Sequence, residues 1–249
     1  SQALQAAQDA AGRRLSVIGM DACLMAMAEV QYQVRRFADV MVASQEVEPL
    51  KGWPYTPIVQ ALNAKPAMSP RELGALIVHE YERSYPGQAV TQSAVDLSKA
   101  EQTAQHVRAF SQAMIDAYPN DGLLQAAFRA AAGSLRGQFE DPDYVDLAEF
   151  VHRLLAGYYE QGGYDAAVLA SGKQLRDWLR SPPSDGPLIA CSPAGNYKDL
   201  PVSGASIYLP ASYVPAGQGA RVEPSPLYAE IDFAQAGWNA LLRKVYETT

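Results

Sequence analysis

The chain of 249 residues carries 20 Lys and Arg against 27 Asp and Glu, which gives a formal net charge of −7. Nonspecific binding to nucleic acid or to an anionic membrane needs clustered positive charge, so this acidic balance argues against both. The sequence has no apolar run of about 18 residues, the length of a transmembrane helix. Its two Cys exclude a disulfide framework, and with three His they argue against a structural zinc site or a His-rich metal site.

The first 120 residues alternate between short apolar runs and helical patterns. Three apolar runs predict buried strands, at residues 14–20, 39–44 and 92–97. Apolar side chains at spacings of three and four predict helices, at residues 24–37, 57–63, 69–85 and 98–118. Ser69 followed by Pro70 is a helix-start signal. Strands that alternate with helices favour a parallel sheet covered by helices on both faces, and therefore an α/β fold.

The rest of the chain divides into a helical segment and a mixed segment. Residues 121–179 have almost no strand pattern and predict three or four helices. Apolar runs at 188–191 and 205–209 predict two further strands, and a Pro-rich loop leads to a closing helix over 232–246. We therefore expect an α/β core in residues 1–120, a helical insertion in 121–185, and the last strands and closing helix of the same unit in 186–249.

Cys23 is the first candidate for chemistry, because it lies where a predicted strand ends and a predicted helix begins. A thiolate at a helix N-terminus is stabilised by the helix dipole, and the backbone N–H of such a residue can donate to an oxyanion. The alternative is that Cys23 packs as a small buried hydrophobic residue. Cys191 lies inside an apolar run, where this second interpretation is favoured.

Residues 17–30 read VIGMDACLMAMAEV, and this segment resembles the nucleophile segment of the clostripain family of cysteine peptidases. The resemblance continues through residues 38–49 and 52–55, and a supporting block covers residues 204–210. Caspases, legumains and gingipains belong to the same group and share an apolar strand that ends in a short Asp/Glu/Gln-Ala-Cys type of motif. The resemblance implies a caspase-like three-layer α/β/α sandwich with a mostly parallel central sheet.

The resemblance also implies an endopeptidase that cleaves after Arg or Lys through an acyl-enzyme intermediate. Cys23 would be the nucleophile, and Asp21 would lie at the base of the pocket for the basic substrate side chain, where a carboxylate forms a charge-assisted pair with a guanidinium. Asp21 could also serve as a helix cap. Ser44 ends the second strand, and Glu46 and Glu48 follow it. All three are expected to line the same cleft, although acidic loop residues are usually only solvated.

The chain departs from the family in its histidines. The family places its catalytic His before the Cys, but none precedes Cys23, and His79, His106 and His152 all fall in predicted helices where packing or surface roles are favoured. Relatives are made as one chain and cut between the His half and the Cys half. We therefore expect a processed heavy chain that begins near Ser1, with an N-terminal light chain of the same precursor as partner. Without that light chain the sheet should have an exposed edge.

The alternative function is an inactive peptidase-like module that binds or scaffolds. A small-molecule α/β enzyme is disfavoured, because the sequence has no phosphate-binding glycine loop and no Gly-x-Ser-x-Gly turn. No cofactor is expected. Calcium dependence is known for some relatives, but no loop here has regular oxygen-ligand spacing. The resemblance implies a bacterial protein, secreted or in the cell envelope, whose partners are proteins or peptides with Arg or Lys before the cut. Nucleic acid and membrane are not expected as partners, because of the acidic charge balance.

Overall fold

The computed structural model describes residues 2–193, 196–210 and 228–248. Ser1, the expected cut point, and most of the predicted Pro-rich loop lie outside these ranges. Nine helices in the described ranges are α1 Gln2–Ala11, α2 Ala28–Val34, α3 Tyr55–Ala64, α4 Pro70–Ser84, α5 Ala100–Ala117, α6 Gly122–Leu135, α7 Leu147–Glu160, α8 Ala166–Leu179 and α9 Trp238–Thr248. Eight strands in the same ranges are β1 Leu15–Gly19, β2 Ala38–Ala43, β3 Gln92–Asp96, β4 Tyr144–Asp146, β5 Leu188–Ser192, β6 Asn196–Tyr197, β7 Leu200–Pro201 and β8 Ser206–Tyr208.

The central sheet has four strands in the order β1-β2-β3-β5. Strands β1 and β2 are parallel, with Val17 opposite Val40. Strand β3 is antiparallel to both of its neighbours, β2 and β5. The expected α/β class is confirmed, but within the described residues only the β1–β2 pair of this sheet is parallel. The connection from β2 to β3 contains two helices, α3 and α4. Because these two helices bring the chain back to the end of the sheet at which it left, β3 runs antiparallel to β2.

Helices cover both faces of this sheet, as a three-layer sandwich requires. Val40 and Val42 of β2 pack with side chains of α3 and α4 on one face. Met41 and Ala43, which alternate with them, pack on the other face with residues that include Val34 of α2. A third and larger cluster joins helices α5 to α9 with β4 and β8. The side chains of β2 therefore lie alternately on the two faces of the sheet, as the period of two along a strand requires.

Three predicted elements differ in the structure. The closing helix expected over residues 232–246 begins only at Trp238, after a 3-10 turn over Asp232–Ala236. The helix expected over residues 24–37 begins only at Ala28, because residues 20–27 form an extended turn that bonds to the chain beyond β2. The helical segment contains a strand, Tyr144–Asp146, which pairs antiparallel with Ser206–Tyr208. A three-residue strand has too short a pattern to be recognised in sequence. The Ser69 cap is confirmed: Ser69 and Glu72 form a reciprocal capping box at the start of α4.

Candidate active site

The turn that carries Cys23 is held against the continuation of β2. The backbone N–H groups of Met20, Leu24 and Ala26 donate to the carbonyls of residues 42, 46 and 44, at 2.9, 3.1 and 2.8 Å. Leu24 has a φ of 59°, a left-handed conformation that is strained for a branched side chain. Such strain at a single residue is typical of functional turns.

This turn corrects the expected position of the thiol. Helix α2 begins at Ala28 and its N-cap is Met27, so Cys23 does not lie at the helix N-terminus and Asp21 does not cap the helix. Cys23 is exposed, and its Sγ accepts a hydrogen bond from the backbone N–H of Glu48 at 3.2 Å. Within the described residues, this backbone N–H is the donor that can stabilise the Cys23 thiolate, in place of the helix dipole that was expected to do so.

Asp21 points toward the start of α3. Its Oδ2 accepts hydrogen bonds from the backbone N–H of Trp53 at 3.1 Å and from the hydroxyl of Tyr55 at 2.9 Å. A Cβ added to Gly52, which has a φ of +65°, would lie 2.8 Å from the same oxygen. Burial acts to raise the pKa of Asp21, but hydrogen bonds from Glu48, Trp53 and Tyr55 outweigh it and lower the pKa. Asp21 is therefore held as a carboxylate.

Glu48 shares Trp53 with Asp21. The indole N–H of Trp53 donates to Oε1 of Glu48 at 3.2 Å. Burial, and next the hydrogen bond to Asp21, raises the pKa of Glu48 to about 8, against weaker opposing effects of Trp53 and Gln92. The pKa values of the two carboxyls therefore shift in opposite directions, downward for Asp21 and upward for Glu48.

The walls around these carboxyls contain buried polar atoms that lack partners. Tyr81 is fully buried, and within the described residues its hydroxyl makes no hydrogen bond. The side-chain amide of Gln92 is also buried, faces Glu48, and has no well-formed bond in the part of the chain that the structure describes. We call the group Asp21, Glu48, Trp53, Tyr55, Tyr81 and Gln92 the acidic pocket. Unsatisfied buried polar atoms are costly, and a ligand or an ordered water can satisfy them.

Glu46 lies outside this pocket. It is 1% exposed, and its carboxylate accepts hydrogen bonds from the backbone N–H groups of Val47 and Glu140, at 2.7 and 3.1 Å, and from the hydroxyl of Tyr197 at 3.0 Å. The ammonium of Lys198 lies 3.5 Å from it. These internal contacts satisfy the Glu46 carboxylate, and because the side chain is buried it is not accessible to a substrate.

Ser44 is likewise buried and internally bonded. Its Oγ lies 2.8 Å from the hydroxyl of Thr91. The side chain of Gln45 donates to Asp146 at 3.1 Å and accepts from the backbone N–H of Gly204 at 3.0 Å. We call residues 44–46 the anchor segment, because they tie the sheet to the helical segment and to the chain before β8.

The three histidines lie on other elements. His79 is exposed on α4, His106 of α5 packs with its ring centroid 5.5 Å from that of Trp178, and His152 of α7 faces α6. None of the three hydrogen-bonds to Cys23 in the described residues. Within the same ranges, no group of three or more His, Cys, Asp or Glu side chains could hold a metal ion. No described helix is long and apolar enough to cross a membrane.

The comparisons with known proteins identify the family of this chain. The profile of the clostripain family matches residues 1–175. The chain belongs to the clostripain family of cysteine peptidases. A search of curated proteins finds no significant match.

Solved structures share the fold at low sequence identity. An inactive zymogen C11 protease from Parabacteroides distasonis is 19% identical with a TM-score of 0.60, and the alignment covers 90% of this chain and 59% of that one. A clostripain from Bacteroides thetaiotaomicron ATCC 29148, in complex with a peptide inhibitor, is 17% identical with a TM-score of 0.61, over 94% and 92%. A secreted C11 cysteine protease from Bacteroides thetaiotaomicron is 16% identical with a TM-score of 0.58, over 92% and 57%. The clostripain-family chain described here therefore spans less than two thirds of two of these three chains.

Sequence reasoning missed several members of the acidic pocket. Trp53 and Tyr55 belong to the segment that resembles the family, yet nothing in the sequence reveals that they donate to Asp21. Tyr81 follows Ile77 and Val78 on the apolar face of α4 and reads as a core residue. Gln92 opens a strand, where a polar residue is ordinary. A polar residue predicted on a buried face is the one signal that could have found Tyr81 and Gln92.

Proposed function

We propose that this chain is the nucleophile-bearing part of a cysteine endopeptidase that cleaves peptide bonds after Arg or Lys. The observation that carries this proposal is the position of Cys23 and Asp21 on one turn, with the exposed thiol beside the pocket that contains the carboxylate. The substrate residue before the cut could then place its carbonyl carbon beside Cys23 while its side chain binds Asp21.

The reaction has two chemical steps. The Cys23 thiolate attacks the carbonyl carbon, and the amine leaves with a proton from a general acid, which gives an acyl-enzyme. Water then attacks the thioester and returns the thiol. The backbone N–H of Cys23, which has no acceptor among the described residues, is a suitable donor to the oxyanion.

The preference for a basic side chain follows from charge. Asp21 is an exposed, hydrogen-bonded carboxylate with a lowered pKa, and such a group favours a guanidinium or an ammonium. The inhibitor bound to the clostripain from Bacteroides thetaiotaomicron contains the peptide VLTK, with lysine beside its AOMK group. That inhibitor supports a basic specificity by analogy.

A light chain from the same precursor is proposed to supply the catalytic histidine. In the described residues β1 pairs only with β2, so its other edge has unpaired backbone groups. Cys23 follows this edge strand directly. A strand that added to the edge in parallel would end beside Cys23, as β2 does on the other side. The neighbour from Parabacteroides distasonis is an inactive zymogen, which supports a precursor that must be activated.

A second candidate is a peptidase-like binding module without activity. The absence of a His–Cys23 hydrogen bond in the described residues favours this alternative. For location, the secreted neighbour supports secretion by a bacterium. Protein substrates with exposed Arg or Lys are the partners proposed for the active form.

The test is hydrolysis of fluorogenic peptides that end in Arg, Lys, Asp or Leu. The chain is assayed alone and after co-expression with the polypeptide that precedes it in its precursor. We expect cleavage after Arg and Lys only in the presence of that polypeptide. Cys23→Ala should abolish it, because removing a nucleophile leaves little of the rate enhancement. Cys191→Ala is the matched control and should retain activity.

Each other result has a definite meaning. Cleavage by the chain alone would contradict the light-chain part of the proposal. Loss of this activity in His79→Ala, His106→Ala or His152→Ala would then identify an internal base. Absence of cleavage in both preparations, with a folded protein, would favour the binding module.

A further inference from the structure

A cavity of about 250 Å³ lies at the edge of the central sheet from which the nucleophile turn leaves. Its lining comes from the last turn of α4, from the chain between α4 and β3, and from the chain around the end of β5. Ser93, near the start of β3, pairs with Ala43 at the end of β2 and with Cys191 near the end of β5. The ends of β1, β2 and β5 and the start of β3 therefore share one edge, and both Cys23 and the cavity lie at this edge.

The outer pocket, as we call this cavity, is lined by both buried and exposed residues. The buried ones are Tyr85, Val90, Ser192 and Tyr197. Lys198 lines the cavity but is exposed, and its ammonium lies 3.5 Å from the Glu46 carboxylate, which balances its charge. Cavities that hold whole small-molecule ligands have volumes of about 300–1,000 Å³, so the outer pocket has the size for one side chain.

Two tyrosines of the outer pocket also contact the active site. The hydroxyl of Tyr85 donates to the backbone carbonyl of Gly52 at 2.6 Å, and Gly52 lies against Asp21. The hydroxyl of Tyr197 donates to the Glu46 carboxylate at 3.0 Å. Because both hydroxyls are bonded inside the protein, the tyrosines offer the pocket the apolar surface of their rings. The outer pocket and the acidic pocket therefore share Tyr85 and the chain around it as a wall.

The strand order gives the distance from Cys23 to the outer pocket. Neighbouring strands lie about 4.8 Å apart, so the start of β3 is about 10 Å from the end of β1 and the end of β5 is about 14 Å from it. An extended peptide advances about 3.3 Å per residue. A substrate that crosses this edge from Cys23 therefore reaches the outer pocket after three or four residues.

The proposed source of the catalytic histidine gives the direction of the substrate. The light-chain strand is proposed to add to the free edge of β1, on the side away from β2. The amine that leaves takes its proton from a general acid, so this part of the substrate faces that edge. The residues before the cut then extend the other way, over β2, β3 and β5.

This inference rests on the proposed function. We propose that the outer pocket binds an uncharged, apolar side chain of the substrate, such as that of leucine, three or four residues before the basic residue at the cut. The side chain packs against Tyr85, Val90 and Tyr197, and the removal of its apolar surface from water supplies the binding energy. The enzyme would then read two positions of its substrate, a basic one at Asp21 and an apolar one in the outer pocket.

The test is cleavage of acetylated fluorogenic pentapeptides by the enzyme form that is active in the cleavage assay. The reference peptide has four glycines before arginine, and each glycine is replaced by leucine in turn. We expect kcat/KM to rise roughly 10- to 100-fold for leucine three or four residues before arginine, the range that burial of a leucine side chain gives. Leucine directly before arginine should give no comparable rise.

Ala89→Trp tests the outer pocket itself. Ala89 is exposed and lines the cavity, so a large ring at this position occupies the space. We expect the ratio of kcat/KM between the leucine and the all-glycine peptides to fall close to one. Ala130→Trp is the matched control, because Ala130 is an exposed alanine of α6, and it should keep the ratio. If Ala89→Trp does not fold, Ala89→Leu makes the same test with a smaller side chain.

The outcomes separate this inference from the proposed function. Equal cleavage of all the peptides would overturn the outer pocket as a binding site and leave the basic specificity intact. A rise confined to leucine one or two residues before arginine, or a rise that persists in folded Ala89→Trp, would overturn it too, because another surface would then bind the side chain. If a folded enzyme cleaves none of the peptides, the proposed function fails and this inference fails with it.

Discussion

The anchor segment and the acidic pocket lie on the same stretch of chain, yet their acidic side chains are in opposite situations. Glu46 is completely buried and its carboxylate is surrounded by donors from three parts of the fold. Glu48, two residues later, is half-buried and has an oxygen without a donor in the described residues. A satisfied buried charge contributes to holding the structure, whereas an unsatisfied one marks a place where a ligand completes the network.

The largest expected effect is that of Asp21→Asn in the pocket. We expect kcat/KM for Arg and Lys peptides to fall by about 100-fold or more, because the cation loses its ionised partner, a loss of ~3 kcal/mol. The free energy of unfolding should hardly change, since Asp21 is exposed. Steady-state kinetics and urea unfolding give the two readouts.

Asp39→Asn is the matched control for that prediction. Asp39 is also an exposed aspartate, it pairs with Arg14 at 2.8 Å, and it should leave kcat/KM unchanged. If the Asp21→Asn enzyme kept its preference for basic residues, a residue other than Asp21 would determine the specificity.

Glu46→Gln tests the anchor segment. We expect the free energy of unfolding to fall by about 3 kcal/mol, because a buried charge network loses its central group. The ratio of Arg to Leu cleavage should stay the same in the folded fraction. Urea unfolding at pH 7 measures the first quantity, with Glu140→Gln as control, since Glu140 contributes only its backbone N–H to the network. A change in selectivity without loss of stability would assign Glu46 to the pocket after all.

Gly52→Ala should have a smaller effect on activity, roughly tenfold. The added methyl group would lie 2.8 Å from Oδ2 of Asp21, and a displacement of this carboxylate misplaces the substrate. Gly12→Ala is the control, because Gly12 also has a positive φ, of 62°, but open space around it. Both variants should lose about 1 kcal/mol of stability from backbone strain. Only Gly52→Ala should lower kcat/KM, and equal kinetics in the two would disprove the contact.

The pH dependence of stability tests the raised pKa of Glu48. The pKa of Glu48 rises from 4.5 to about 8 on folding, so the folded state binds the proton more tightly than the unfolded chain. Its contribution is fully present below pH 4.5 and is lost as the pH rises to about 8. Glu48→Gln should therefore flatten this part of the stability profile, measured by urea unfolding at several pH values without any ligand. An unchanged slope would mean that Glu48 is already ionised at neutral pH.

Much of the fold could be predicted because its signals are local. The strand before Cys23, the alternation along β2 and the capping box at Ser69 all depend on neighbouring residues. The same is true of the motif that identifies the family, since Asp21 and Cys23 lie on one turn. The direction of β3 was missed because it depends on how two helices pack between strands.

The sequence by itself determined the α/β class, the family and the thiol and carboxylate on one turn, since short stretches of chain encode each of them. Only the tertiary structure distinguished Glu46 from Glu48, since their surroundings come from distant residues. Glu46 meets Glu140 and Tyr197, whereas Glu48 meets Asp21, Trp53 and Gln92. Burial and hydrogen-bond supply are properties of the folded neighbourhood, and they decide whether an acidic side chain is ionised, protonated or left for a ligand.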